Sequence, residues 1–308
     1  MKNRFLNNYI KSPIVYAGSK FSFLDKLKNF IPTNKKAVLW DAFGGSGTIA
    51  FNFAKSFGEI IYNEKDKVIF DIVKFLFSLN TIEKINSFAK WADKLAIRYD
   101  IISSRDHRNI PSHLNPKYEN WLTFLEKLKI GKDSPPKLLY LASLFSFSYA
   151  IKFTKEGKLA KSFKNQPNLP SFSIKKCYAL LSVKNIKFFN ENYLDLLNLI
   201  NKNDIVYLDP PYFLGGMEYC RIWKEKNELD LYSFCEKLNA KGIKWIMSNM
   251  WICKGQKHSL LMEWSKKNKW NVIKWDQIYS NNLTTNRVVE CVVRNFKHYN
   301  FPKQSKLF

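Results

Sequence analysis

Cysteine is scarce in this chain and poorly placed for cross-links or metal. The five cysteines, Cys177, Cys220, Cys235, Cys253 and Cys291, include no Cys-x-x-Cys pair and are odd in number. That argues against a disulfide scaffold and for reduced, buried thiols in a cytoplasmic protein. His107, His113, His258 and His298 have no ligand-like spacing with the cysteines, so no metal is expected. No run approaches the roughly twenty apolar residues of a membrane span, and Met1 to Ile10 lacks the apolar core of a secretion signal. A membrane partner is therefore not expected. Acidic residues are few, 26 against 50 basic ones, giving a net charge of +24 and a pI near 9.7. Such a balance suits a polyanion. Arginine is nearly missing, with seven of the 50, so the excess is almost all lysine and reflects in part the composition of an AT-rich genome. Internal repeats and low-complexity tracts are lacking too, and only the lysine-rich Pro302 to Phe308 stretch is expected to fray. At 308 residues the chain is long enough for about two domains and a sizeable core.

Most informative among what is present is Asp209-Pro210-Pro211-Tyr212, which follows the apolar run Ile205-Val206-Tyr207-Leu208. The spacing predicts a buried strand handing over to a loop, the place where open α/β sheets bind ligands. A carboxylate, two rigid prolines and an aromatic ring suit transfer of a carbon to an exocyclic amino group such as adenine N6. That nitrogen is a poor nucleophile because its lone pair is delocalised into the ring. Two acceptors aimed at its protons, the Asp209 carboxylate and the Pro210 carbonyl, would localise the pair toward an electrophile. Tyr212 can stack on the flat base. Taken alone, the tetrapeptide also fits a proline-rich turn.

Upstream, Val38-Leu39-Trp40 reads as a short strand ending at Asp41. A glycine loop, Ala42-Phe43-Gly44-Gly45-Ser46-Gly47-Thr48, follows, then a helix over Ile49 to Lys55 with Gly58 as its stop. Ile60-Ile61-Tyr62 reads as a second strand, closed by Asn63-Glu64-Lys65-Asp66. Glycines admit a nucleoside close to the backbone, and an acid after the second strand can accept from both ribose hydroxyls. The spacing Gly45-x-Gly47-x-x-Ala50 also fits a dinucleotide site, which keeps a nicotinamide-dependent dehydrogenase open. No Lys-Ser/Thr closes the loop as a phosphate-gripping one would require. An adenosine cofactor bearing a methyl sulfonium needs no pyrophosphate site, and the Asp209 strand end favours it.

Three stretches together, Lys11-Ser12-Pro13-Ile14-Val15-Tyr16-Ala17-Gly18-Ser19-Lys20, Asp41 to Gly47 and Asp209 to Tyr212, resemble the Dam-type, alpha-order adenine-N6-specific DNA methyltransferases. The resemblance implies a Rossmann-like α/β sheet that uses S-adenosylmethionine. It implies that Tyr16 and Lys20 pack over the cofactor, that Phe43, Gly45 and Gly47, flanked by Asp41 and Thr48, border its methionine part, and that Glu64 holds the ribose. Asp209, Pro210, Pro211 and Tyr212 would perform the transfer, with Asp209 also facing the cofactor. The family usually has Asp where this chain has Glu64. It tends to carry an acid before an aromatic residue where this chain has Asn192-Tyr193, and the Asn192 oxygen can still accept. The expected substrate is duplex DNA with the adenine flipped out, and the resemblance admits a cognate restriction endonuclease as partner. A methyltransferase for RNA would keep the same motifs, a regulator that only binds DNA could keep the fold, and glutamine methyltransferases of related type carry Asn where this chain has Asp209.

The expected catalytic domain comprises residues 1–66 and 185–308, and residues 67–184 form a helical insert, where the family carries its target-recognition domain. Helical spacing runs from Lys67 to about Asp100 and recurs over Tyr118 to Lys129 and Leu138 to Lys152, broken by a turn between Gly131 and Pro136. Trp91 and Trp121 fit the core of these helices. The lysine- and amide-rich Thr154 to Pro167 segment is either a solvated loop or a hairpin reaching DNA. In the second case Lys158, Lys161 and Lys164 would meet phosphates and Asn165 or Gln166 an adenine edge. Arg105, His107 and Arg108 form a second basic cluster. Past Tyr212, Gly215-Gly216-Met217 is expected to be a mobile loop, with Tyr219 and Trp223 able to stack on a base. A helix over Leu229 to Leu238, a strand over Ile243 to Met247 and a late strand over Val288 to Val293 close the chain, with Arg287 a candidate phosphate contact.

Overall fold

The computed structural model describes residues 9–15, 18–102, 112–146, 151–164, 168–214, 223–281 and 284–297, the side chains of residues 112, 277–281 and 284–287 excepted. Two compact units emerge. One comprises Met1–Phe21, Gly45–Asn52 and Asp66–Lys184; the other comprises Ser22–Gly44, Phe53–Lys65 and Asn185–Phe308.

The second unit is an α/β unit built on one eight-stranded sheet. Its strands are β1 (Asn34–Asp41), β2 (Phe57–Asn63), β3 (Ile186–Phe189), β4 (Ile205–Leu208), β5 (Lys244–Cys253), β6 (Gln256–Lys257), β7 (Asn271–Asn281) and β8 (Thr284–Arg294). The order is β3-β2-β1-β4-β5-β8-β7, with β6 paired to β5. The first five strands of that order run parallel, and β8 and β7 close the far side as an antiparallel pair. Every residue of β4 is buried, as befits a parallel strand covered on both faces. Helices α1 (Leu24–Phe30), α8 (Glu225–Ala240) and α9 (Ser259–Lys267) belong to this unit. Leu231, Leu238 and Leu261 pack with Val206, Leu208, Trp245 and Met247 in one core, where each large side chain contributes about 1.5–3 kcal/mol of burial.

The first unit is mainly helical: α2 (Thr48–Phe53), which runs one residue past it, α3 (Lys67–Ser78), α4 (Ile82–Arg98), α5 (Tyr118–Lys127), α6 (Pro136–Phe145) and the short α7 (Ser171–Ile174). Asp66 caps α3 by accepting from the Val68 and Ile69 N–H groups, and the Thr81 hydroxyl oxygen accepts from Lys84 to cap α4. Trp121 is fully buried and lies against Phe124, Phe145 and Phe163. Trp91 stacks on Phe88 as a half-buried neighbour.

Several expectations require correction. Gly58 is not a helix stop: α2 has already ended, and Gly58 lies inside β2, where a Cβ would come within 2.6 Å of the Lys35 carbonyl oxygen on β1. Helix α6 stops at Phe145 rather than near Lys152, and from Ile151 to Lys164 the chain is non-helical, with isolated bridges at Phe153, Lys158 and Leu159 around a turn. Strand β5 continues to Cys253, and β3, β6 and β7 are strands that the sequence pattern does not announce. Cys177, Cys235 and Cys291 are buried, but Cys253 is half-exposed; Cys220 lies outside the described residues.

Candidate active site

The strand order reverses at β1 and β4: the chain steps outward through β2 and β3, then returns to the other side of β1. Such a switch point leaves a crevice beyond the carboxyl ends of the strands. Asp41, buried, ends β1 opposite Tyr207 of β4, and the Ala42 N–H donates to the Tyr207 carbonyl at 3.0 Å. Next, the Gly44 N–H donates to the Asn63 carbonyl at 2.7 Å. A Cβ on Gly44 would fall 2.3 Å from the Tyr62 ring, so only glycine lets the loop lie down on β2. Phe43, half-buried, packs against Tyr193 and Trp223 with centroids 4.9 and 6.1 Å away.

Glu64 follows β2, half-exposed, and its N–H donates to the Phe189 carbonyl at the end of β3. Asn192 lies just beyond β3, where its Oδ1 accepts the Leu194 N–H at 3.2 Å and opens a 3-10 turn over Tyr193–Asn198. Asn63 is a structural tie that the sequence did not single out. Fully buried, it donates to the Ala42 and Glu191 carbonyls and accepts the Glu191 N–H, at 3.0, 3.1 and 3.0 Å. One amide thus ties the ends of β1, β2 and β3 together.

Asp209 follows β4 directly and is half-buried. Its Oδ1 accepts from the Ser248 hydroxyl at 2.9 Å and from the Tyr212 hydroxyl at 3.2 Å. Ser248, missed in the sequence, stands on β5, one residue past the pairing of Leu208 with Met247. Because Ser248 spends its only hydrogen on Asp209, the Tyr207 hydroxyl 2.9 Å away donates to the Ser248 oxygen. Desolvation first, and the nearby Asp209 second, push both the Tyr207 and Tyr212 phenols well above their usual range. Both therefore stay protonated donors at neutral pH. The three hydroxyls fix the carboxylate's orientation.

In the other unit the opening segment and the glycine loop lie together. Gly45 and Gly47 have φ of 48° and 77°, conformations that glycine adopts freely. The Ser12 hydroxyl donates to the Ser46 carbonyl at 2.7 Å, and Thr48 Oγ1 lies 3.0 Å from Ser19 Oγ and 2.9 Å from Ser46 Oγ. Lys20 is buried and its Nζ donates to the Gly18 carbonyl. Lys158 and Lys161 are exposed and Lys164 half-buried, around a tight turn in which Thr154 N–H donates to the Lys158 carbonyl. Tyr16, Arg105, His107, Arg108, Asn165, Gln166, the Gly215 to Met217 loop, Tyr219 and the Arg287 side chain lie outside the described residues. Among the described residues no cluster of His, Cys, Asp and Glu could hold a metal ion, and no helix is long and apolar enough to cross a membrane.

With this geometry in hand, comparison with known proteins is direct. Residues 16–281 match the D12 class N6 adenine-specific DNA methyltransferases, and the chain belongs to that family. Its relatives include the type II methyltransferase M.FokI of Planomicrobium okeanokoites, 25% identical over 95% of this chain, and the modification methylase StsI of Streptococcus sanguinis, 26% identical over 97%. The chain spans about half the length of these relatives, 44% and 46% of them. Among solved structures, a tRNA methyltransferase from Aquifex aeolicus aligns with 94% of this chain and 72% of its own, with 11% identity and a TM-score of 0.31. That score is too low to bear on the fold, which rests on the strand order above.

Proposed function

We propose that this chain transfers the methyl group of S-adenosylmethionine to N6 of an adenine turned out of duplex DNA. The observation that carries the reading is the Asp209 carboxylate, oriented by Ser248 and Tyr212 at the end of β4, beside the switch point, in a chain of this family. The donor set suits an adenosine cofactor: a loop that only glycine lets lie on β2, the Phe43 ring, Glu64 half-exposed for the ribose and Asn192 after β3. The family pattern adds Tyr16, Lys20, Asp41, Gly45, Gly47 and Thr48. When bound, the cofactor supplies an electrophilic methyl on a sulfonium.

The chain's own residues do the rest. Asp209 accepts a hydrogen bond from one N6–H and the Pro210 carbonyl accepts one from the other, so the nitrogen lone pair is drawn out of the ring's π system. As the N–C bond forms, the sulfonium–carbon bond would break to leave a neutral thioether, and the one surplus N6 proton would pass by way of Asp209 to solvent. Pro210 and Pro211 hold the loop through their fixed φ. Tyr212, tied to Asp209 by its hydroxyl, stacks on the base and keeps it in line. Taking the base out of the duplex costs on the order of a few kcal/mol, offset by that stacking and by contacts to its polar edge. Residues 67–184 would choose the target sequence, with Lys158, Lys161, Lys164 and Arg287 on phosphates and Asn165 or Gln166 on a base edge. The relatives' names as type II and modification methylases favour a restriction endonuclease as partner.

The test is single-molecule sequencing of DNA from cells expressing the chain, together with tritiated methyl incorporation into duplex DNA and RNA. The proposal predicts N6-methyladenine in one short sequence context. Incorporation into RNA alone, or none into either, would contradict it.

A further inference from the structure

A buried polar cluster stands beside the strand ends and has no part in the reaction as drawn. Glu228, in the first turn of α8, and His258, which opens α9, are 0% and 1% exposed. Glu228 Oε1 accepts the Trp223 indole N–H at 2.9 Å. Among the described residues its Oε2 has no hydrogen-bond partner, and it faces His258 Nε2 at 3.7 Å. His258 Nδ1 accepts the Leu261 N–H at 3.3 Å, so the neutral ring carries its hydrogen on Nε2, toward the carboxylate. Burial first, and then the nearby Glu228 charge, push the Tyr232 phenol far above its usual range.

Stability does not explain this arrangement. Leu231, Phe234, Cys235 and Leu238 on the same helix are buried and apolar, and well-packed apolar residues commonly match or improve on a buried polar or charged pair. What the cluster touches does explain it. Trp223 packs against Phe43, in the loop after β1, and against Tyr193, in the turn after β3. The His258 ring lies 5.5 Å from that of Phe213, the residue after Tyr212. One carboxylate therefore anchors the aromatic wall on the cofactor side and the support of the loop on the substrate side.

We propose that Glu228 is a positioning residue for methyl transfer, holding Trp223 against Phe43 and Tyr193 and, through His258, seating Phe213 behind the Asp209 to Tyr212 loop. This inference rests on the function proposed above. Substitution Glu228→Gln separates the two arms. Glutamine has one acceptor oxygen for two donors, so the shorter Trp223 bond survives and the amide N–H group meets His258 Nε2–H. Trp223→Phe does the converse, removing the indole donor and leaving the Glu228 and His258 pair.

The measurements are the Kd for S-adenosylmethionine by calorimetry, and kcat and KM for duplex DNA by tritiated methyl transfer, on the purified full chain. Glu228→Gln is expected to lower kcat roughly tenfold or more while the cofactor Kd stays within about twofold, because small misplacements at a reacting centre cost rate. Trp223→Phe is expected to raise that Kd roughly fivefold or more through the loosened wall. A folded Glu228→Gln variant with wild-type kcat overturns the proposal, as does one that only unfolds at lower temperature with both constants unchanged. Should Glu228→Gln not purify folded, an unchanged Kd in Trp223→Phe overturns it. A wild-type chain inert on DNA speaks instead against the proposed function, whereas an active wild type with an equally active variant speaks only against Glu228.

Discussion

Asp209 and Tyr212 stand in one tetrapeptide, and their joint chemistry could be read there. Ser248 could not, because it lies 39 residues from Asp209 and only the β4 and β5 register brings it alongside. Removing its hydroxyl frees the carboxylate to rotate. Ser248→Ala should lower kcat roughly tenfold with unchanged cofactor Kd, a misorientation effect, and cost about 1 kcal/mol of stability as one lost hydrogen bond. Equal kcat in the variant would show that the hydroxyl does not orient Asp209. The phenols make a second prediction, about pH. Tyr207 and Tyr212 are raised above 10.0 in the fold, so above that pH the unfolded chain ionises first and holds fewer protons than the folded one. The contribution of these two phenols should be steady up to about pH 10 and fall beyond it. Tyr207→Phe should flatten that alkaline fall in thermal unfolding scans.

At the scale of elements, legibility followed burial and length. The apolar run Ile205–Leu208 is buried throughout and announced β4. Ile186–Phe189 is four residues long, with Lys187 exposed and the rest half-buried, and β7 carries many polar ones, so neither gave a two-residue alternation strong enough to read. The apolar spacing from Lys67 to about Asp100 reads as one helical stretch, whereas the side-chain caps at Asp66 and Thr81 divide it into α3 and α4. Gly58 misled because close approach between strands and the end of a helix both call for the same residue. Asn63 carries the element-scale prediction, since its amide joins the ends of β1, β2 and β3. Asn63→Ala should destabilise the chain by about 1–3 kcal/mol, leaving buried carbonyls without donors, and weaken S-adenosylmethionine binding. Denaturant titration and calorimetry would check both; an unchanged cofactor Kd would mean that the three loops hold their places without it.

For the whole molecule, the motifs imply a Rossmann-like sheet, but the reversal of strand order at β1 and β4 is visible only in the fold. The division of the chain was less accessible, because Gly45–Asn52 clusters with the helical unit while Asp41 and Phe43 cluster with the sheet, and linear sequence carries no mark of that. Charge is the other global property. A net charge of +24 says that a polyanion is favoured but not where it binds. Affinity for duplex DNA should fall steeply with salt, by about 10³ to 10⁵ between 50 and 200 mM if roughly six to ten phosphates are contacted. Replacing Lys158, Lys161 and Lys164 together by Gln should make the logarithmic salt slope shallower by roughly two to three. A slope unchanged by the triple substitution would move the DNA elsewhere on the surface.

Asp209→Ala, compared with wild type for tritiated methyl incorporation into adenine of duplex DNA and for S-adenosylmethionine binding on the same preparations, tests the central claim most directly. The account predicts that incorporation is lost by a factor of at least roughly 10³, since a group acting on the reacting nitrogen is gone, while the cofactor Kd changes little. Robust methylation by the variant would contradict it.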